Sequence, residues 1–163
     1  MRKTVGIVVC VLALILLVSC TDNRYERKVN EAQNLYNEGK NVAAIHTLSE
    51  AIYLDSNRYE AYAVRGNLYR QLGKYDLAIS DYIKIIQKGV LYYNYPLGIL
   101  LADIGRGKEA VKYLEDYIKY DDKNAEVYIL LAKIYMNFDD YKSAEEIKKI
   151  GYEATGDERL NKY

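Results

Sequence analysis

Ala44, Ala78, Ala110 and Ala144 stand 34, 32 and 34 residues apart, each in a similar local setting. The four settings are Val42-Ala43-Ala44-Ile45, Asp76-Leu77-Ala78-Ile79, Lys108-Glu109-Ala110-Val111 and Lys142-Ser143-Ala144-Glu145. Twelve positions before each alanine lies another small residue: Ala32, Gly66, Gly98 and Ala132. Leu35, Tyr69, Leu101 and Tyr135 follow those by three. Gly39, Gly73 and Gly105 stand five positions before the first three alanines, and Asp139 holds that place in the fourth. Self-similarity at a fixed period of this length marks a chain assembled from stacked supersecondary units, so it constrains the fold more than any single segment does.

Within each unit the apolar residues recur at helical spacing, in segments of roughly 12 to 15 residues broken by short polar turns. The chain has one proline, Pro96, and no stretch alternates as a strand would. The expected class is therefore all-α. A small residue on each of two antiparallel helices lets their backbones approach closely. A bulkier side chain at such a contact costs roughly 1–3 kcal/mol in overpacking. The glycine between them suits a helix C-cap, where a positive φ is cheap for Gly. A hairpin of this size cannot bury its apolar face alone, so neighbouring hairpins must stack.

This spacing resembles the tetratricopeptide repeat (TPR). The second unit shows it most clearly, with Tyr62, Arg65, Gly66, Tyr69, Gly73, Tyr75, Ala78 and Tyr82 in register; the fourth keeps Tyr128, Leu131, Ala132, Tyr135, Tyr141 and Ala144. The resemblance implies a right-handed α-solenoid of about four helix-turn-helix units over 25–158, near 25–58, 59–90, 91–124 and 125–158, with a tail at 159–163. The chain departs from the family pattern in places. Ser56, Val90, Asp122 and Gly156 replace the late proline, and Lys28 and Asn94 replace the first aromatic residue of units one and three. Pro96 falls inside an expected first helix, which it should either start or kink. In the last unit Lys148 stands where Leu48, Tyr82 and Leu114 stand earlier. With Lys142, Glu145, Glu146 and Lys149 it makes a polar helix, expected to be a terminal cap with a solvated outer face.

The first segment has a different character. Arg2 and Lys3 precede an apolar run of 14 residues, Val5 to Val18. That is short of the roughly 20 residues of a membrane-spanning helix and fits the apolar region of a signal peptide. The run ends in Leu17-Val18-Ser19-Cys20, which resembles the bacterial lipobox. The resemblance implies a lipoprotein signal peptide over 1–19, cleavage before Cys20, and a diacylglycerol plus an acyl chain such as palmitate on that cysteine. Residues 20–24 then form the linker to the repeats. Two or more acyl chains give stable anchoring, at about 0.8 kcal/mol per buried CH2. Thr21, not Asp, follows the cysteine, which in Gram-negative sorting favours the outer membrane facing the periplasm; the outer face of the cytoplasmic membrane is the alternative. Cys10 leaves with the signal, so the mature chain has no free thiol and no disulfide. Without Arg2 and Lys3 the balance is 21 basic against 23 acidic residues, a net −2. Nothing in it suggests a nucleic-acid partner.

No enzymatic constellation stands out, and neither catalytic residues, cofactor, metal site nor small-molecule substrate is expected. His46 is the only histidine. Gly105-Arg106-Gly107-Lys108 reads as a helix-to-helix turn, without the strand that a phosphate loop requires. Of the 19 tyrosines, Tyr62, Tyr69, Tyr75, Tyr82, Tyr128, Tyr135 and Tyr141 occupy framework positions as interhelical fillers with a polar tip.

In TPR arrays the first helices line a concave groove that receives a peptide or helix. Carrying those positions over gives Asn67, Arg70 and Gln71 from unit two, Tyr92, Tyr95 and Ile99 from unit three, and Ile129, Leu130, Lys133, Met136 and Asn137 from unit four. Aromatic and flexible apolar side chains beside cations suit a protein interface. The family's chaperone-tail clamp is not expected, since Val29 and Gln33 stand where it needs Lys and Asn. The function expected is a membrane-anchored scaffold that binds proteins of the bacterial envelope, in cell-wall enzyme, outer-membrane or pilus assembly complexes. The alternatives are an envelope enzyme such as a peptidoglycan hydrolase, or a purely structural subunit of a secretion or pilus machine.

Overall fold

The computed structural model describes residues 23–161. The expected signal peptide, Cys20 and the last two residues lie outside them. All regular structure in the described residues is helical, with no strand. The chain divides into two compact units at Lys74/Tyr75, inside the second expected repeat. The first holds α1 (23–37), α2 (Asn41–Leu54) and α3 (Glu60–Gln71). The second holds α4 (Tyr75–Gln87), a 3-10 turn (Leu91–Tyr93), α5 (Asn94–Asp103), α6 (Gly107–Ile118), α7 (Ala125–Asn137), α8 (Tyr141–Thr155) and a closing 3-10 turn (Glu158–Leu160).

Five helix ends share one C-cap geometry, four of them between paired helices and the fifth at Gly89 after α4, where φ is 85° and Gly89 and Val90 donate to Ile86 and Ile85. After α1, α3, α5 and α7 the residue at Gly39, Gly73, Gly105 and Asp139 takes a positive φ, of 74°, 69°, 80° and 58°. At each, two backbone bonds close the turn: Gly39 N–H donates to Tyr36 and Lys40 to Leu35, Gly73 to Arg70 and Lys74 to Tyr69, Gly105 to Ala102 and Arg106 to Leu101, and Asp139 to Met136 and Asp140 to Tyr135. This is the Schellman motif, which satisfies carbonyls the helix leaves unpaired. Asp139 adopts the left-handed conformation without glycine's freedom, and Tyr141 Oη donates to its carboxylate at 3.0 Å.

In the first unit a core of Tyr25, Ala32, Ala44, Leu48, Ala51, Ala61 and Leu68 joins three helices. Tyr25 is fully buried, and its hydroxyl accepts the N–H of Ala61 at 2.9 Å while donating toward Glu60 at 3.4 Å. The residue before α3, Tyr59, supplies no side-chain cap. The Tyr25 hydroxyl therefore takes up one of the N–H groups that every helix start leaves open. Arg58 lies 4.1 Å from the Tyr25 ring centre and bridges Glu26 and Glu60 at 2.6 and 3.1 Å.

In the second unit the helix pairs close on small residues. A Cβ on Gly98 of α5 would fall 2.5 Å from Leu114 Cδ2 of α6, and one on Gly151 of α8 would fall 2.5 Å from the Tyr128 ring of α7. Gly107, at the start of α6, lies under the Phe138 ring and Ile134. Ala78, Ala110 and Ala144 are fully buried, as are Ala32 and Ala44 of the first unit; Gly66, Gly98 and Ala132 are also buried. Pro96 neither starts nor kinks a helix. α5 begins two residues earlier, directly after the 3-10 turn, so the ring falls in the first turn, where its missing N–H has no helical partner to lose.

Lys148 departs from expectation. It is 6% exposed, not part of a solvated face, and its Nζ donates to Glu145 Oε1 at 2.6 Å. The long apolar stem is buried while the head reaches a carboxylate, as amphipathic side chains do at the edge of a core.

Candidate functional site: a cleft along α7

The α7 sequence Ala-Glu-Val-Tyr-Ile-Leu-Leu-Ala-Lys-Ile-Tyr-Met-Asn carries apolar residues all round, which obliges one helix to meet more than one surface. Asn124 caps it, its side chain accepting from Glu126 N–H at 3.2 Å. Val127, Tyr128, Leu131, Ala132 and Ile134 are buried. Tyr128 is fixed by donating to the Asp122 carbonyl at 3.2 Å, and Tyr135 by donating to Glu115 at 2.8 Å. Burial and the Glu115 charge push the Tyr135 phenol up to about 12.

The remaining face presents Glu126, Ile129, Lys133 and Met136, one above another, to a cleft of about 450 Å³. Ala132, Lys148 of α8, and Arg159 and Leu160 of the closing turn complete its lining. The turn is pinned rather than loose. Asp157 caps it by accepting from Arg159 N–H, and Leu160 is 3% exposed. Arg159 bridges Asp157 and Glu126, each at 2.7 Å. The Arg159 guanidinium holds the Asp157 carboxyl down at about 2. The cleft thus has an aliphatic floor of Ile129, Ala132 and Leu160, a flexible thioether that is 43% exposed, and the exposed Lys133 ammonium. Such a surface can take an apolar side chain and an adjacent carboxylate. Met adapts to differing shapes.

The structure gathers Ile129, Lys133 and Met136 of the sequence-predicted set into this cleft. Leu130 is half-buried and Asn137 exposed, and neither lines it. Tyr95 is half-buried, its ring stacked on Tyr117 with centres 5.1 Å apart; burial, then the nearby Glu126 charge, raise its pKa. Tyr92 is 41% exposed and leans on Tyr93 at 4.6 Å; Ile99 is half-buried. In the first unit Asn67, Arg70 and Gln71 are exposed, and Gln71 accepts from Tyr36 Oη at 3.0 Å. Sequence reasoning missed Glu126, Ala132, Lys148, Arg159 and Leu160 as lining residues. Glu126 was detectable, three residues before Ile129 on the same helical stripe. Arg159 and Leu160 follow the last repeat and have no position in it.

Among the described residues no group of three or more His, Cys, Asp or Glu side chains could hold a metal ion. No helix among them is long and apolar enough to cross a membrane.

Comparison with known proteins agrees with the helical-repeat fold. Two family profiles, each described as tetratricopeptide repeat, match residues 101–159 and 59–87. A TPR and J domain-containing co-chaperone, DNJ1, of Cryptococcus neoformans var. grubii is 32% identical over 93 residues. Those are 56% of this chain, but the chain spans only 18% of that protein's length. A crystal structure of MamA superposes with a TM-score of 0.71 at 21% identity, covering 90% of this chain and 86% of the other. MamA residues 41-end from Desulfovibrio magneticus RS-1 gives 0.70 at 20%, covering 84% and 79%. YrrB, described as a TPR protein with an unusual peptide-binding site, gives 0.64 at 22%, covering 78% of this chain and 66% of the other.

Proposed function

We propose, for a chain that carries tetratricopeptide repeats, that it is a non-enzymatic scaffold, lipid-anchored through Cys20 in a bacterial envelope, and that it holds a protein segment in the α7 cleft. The observation that carries the binding part is the unequal use of α7. Five of its side chains are consumed by packing, while Ile129, Lys133 and Met136 face a formed cleft with apolar and cationic character. Apolar area with a flexible Met and a peripheral cation suits a peptide better than bond-making chemistry. The peptide-binding site named for YrrB supports the same reading, since the two chains share this fold. The anchoring part is supported by the charged start, the apolar run and Leu17-Val18-Ser19-Cys20. Thr21 after the lipid site favours an outer-membrane address facing the periplasm.

The test is capture of envelope proteins by the full-length chain, compared with Met136→Ala combined with Lys133→Glu. Tyr95 is left unchanged because its ring packs on Tyr117. Both substituted residues are exposed, so the variant keeps its helical content and loses the captured partner. Equal recovery by the folded variant contradicts the cleft assignment. Radiolabelled acyl chains should enter the wild type and not Cys20→Ala; label in both, or in neither, contradicts the anchor.

A further inference from the structure

The first unit carries a feature that binding at α7 does not use. Arg24, Lys28, His46, Ser49, Glu50, Tyr53 and Leu54 surround a hollow of about 430 Å³ between α1 and α2. Tyr53 is 91% exposed, the most exposed large hydrophobic residue of the described chain. Lys28 is engaged, bridging Glu31 and Glu50 at 3.0 and 2.9 Å. Among the described residues neither Arg24 nor Arg27 has an ion-pair partner, and both are exposed. Positions 24, 27 and 28 are i, i+3, i+4 on a helix, so the three cations share one face of α1. His46 stands 3.8 Å from Glu50 on the facing helix.

We propose that this face docks on the anionic phospholipid headgroups of the membrane that holds the chain. The inference rests on the reading of Cys20 as the lipid site. Three considerations select a lipid surface as the occupant. The first is reach. Arg24 lies four residues after Cys20, and even a fully extended chain spans at most about 3.6 Å per residue, so the cations start within roughly 15 Å of the anchored residue. The second is charge: Arg side chains with no ion-pair partner among the described residues, close after a membrane anchor, are attracted to anionic lipid, and acyl chains with a basic patch are a recognised two-signal arrangement. The third is Tyr53. Its apolar ring, 91% exposed, and its polar tip suit the headgroup layer. Docking here would fix the orientation of the first unit on the bilayer instead of leaving it to swing on the linker.

The chain contains no tryptophan, so Tyr53→Trp creates a single reporter at an exposed site. The full-length lipidated variant is reconstituted into phosphatidylcholine vesicles with and without phosphatidylglycerol, in each case including brominated lipid. Docking gives indole emission that shifts to shorter wavelength and is quenched with phosphatidylglycerol. The shift fades at about 1 M salt, where screening acts within about 3 Å. It is lost in Arg24→Glu with Arg27→Glu, which still floats with the vesicles. A chain that floats while the introduced indole stays in water overturns the docking but not the anchor. A chain that fails to float and has no lipid mass on Cys20 overturns the anchor and the docking with it. Shielding of the indole only when envelope proteins are added, and not by pure lipid, assigns the face to a protein and overturns the proposal.

Discussion

Replacing Gly98 with alanine tests whether the repeat's small residues are set by close helix approach. The new Cβ would lie 2.5 Å from Leu114 Cδ2 and 2.6 Å from Cγ. Carbon atoms in contact sit about 3.5–4.0 Å apart, so the overlap is on the order of 1 Å. Leu114 is fully buried and cannot swing toward water to relieve it. Overpacking of this kind costs roughly 1–3 kcal/mol. Against it, alanine is favoured over glycine inside a helix by about 1 kcal/mol. The net expectation is a loss of stability of up to about 2 kcal/mol. The diagnostic quantity is a change of sign. Leu114→Ala by itself removes the obstructing atoms and costs roughly 2–5 kcal/mol. In that background Gly98→Ala should stabilise by about 1 kcal/mol, because only the propensity gain remains. Urea unfolding followed by circular dichroism measures all four corners of the cycle, with sucrose added to favour burial if the Leu114→Ala background is marginal. If Gly98→Ala already stabilises the wild type, or has the same effect in both backgrounds, the close-approach argument fails.

Other expectations follow from particular contacts. Asp139→Gly removes the conformational strain of a non-glycine residue at φ 58°, and should raise stability by up to about 1 kcal/mol despite losing the Tyr141 bond; urea unfolding decides it. Tyr25 and Tyr135 are both pushed up to about 12, chiefly by burial. Their contribution is whole below the ordinary tyrosine value near 10 and is lost as pH rises through about 12. Stability should therefore hold to about pH 10 and then fall, less steeply in Tyr135→Phe. Asp157, held at about 2 by Arg159, behaves oppositely. Its contribution is full above the usual carboxylate range near 4 and disappears as pH falls through about 2, so the Leu160 amide resonance should move there and stay fixed in Asp157→Asn.

How much is legible in the sequence depends on what a residue's neighbours are. Ala44, Ala78, Ala110 and Ala144, and the glycines five places before the first three, declare themselves because a close helix contact and a left-handed turn each admit few residue types. Asp139 joins that series by spacing alone. Pro96 is visible as a break, but the 3-10 turn that lets α5 start before it depends on how Tyr93 and Asn94 are buried, which local patterning does not encode. Lys148 misleads because a charged residue in a sequence reads as an exposed one. A lysine stem is apolar, and Glu145 one turn away supplies its counter-charge. Of the stripe that lines the cleft, Ile129, Lys133 and Met136 are legible from the groove positions that the repeat resemblance carries over. The wall formed by Arg159 and Leu160 is not, since it comes from a turn after the repeats that folds back on α7.

The most direct measurement is site-specific photo-crosslinking in native cells, with the reactive group at position 133 in the cleft and, as control, at position 149 on the exposed side of α8. A cleft that holds a protein segment gives a discrete crosslinked species from 133, absent from 149 and diminished by Met136→Ala. The same faint pattern from both positions, or capture that ignores Met136→Ala, contradicts it.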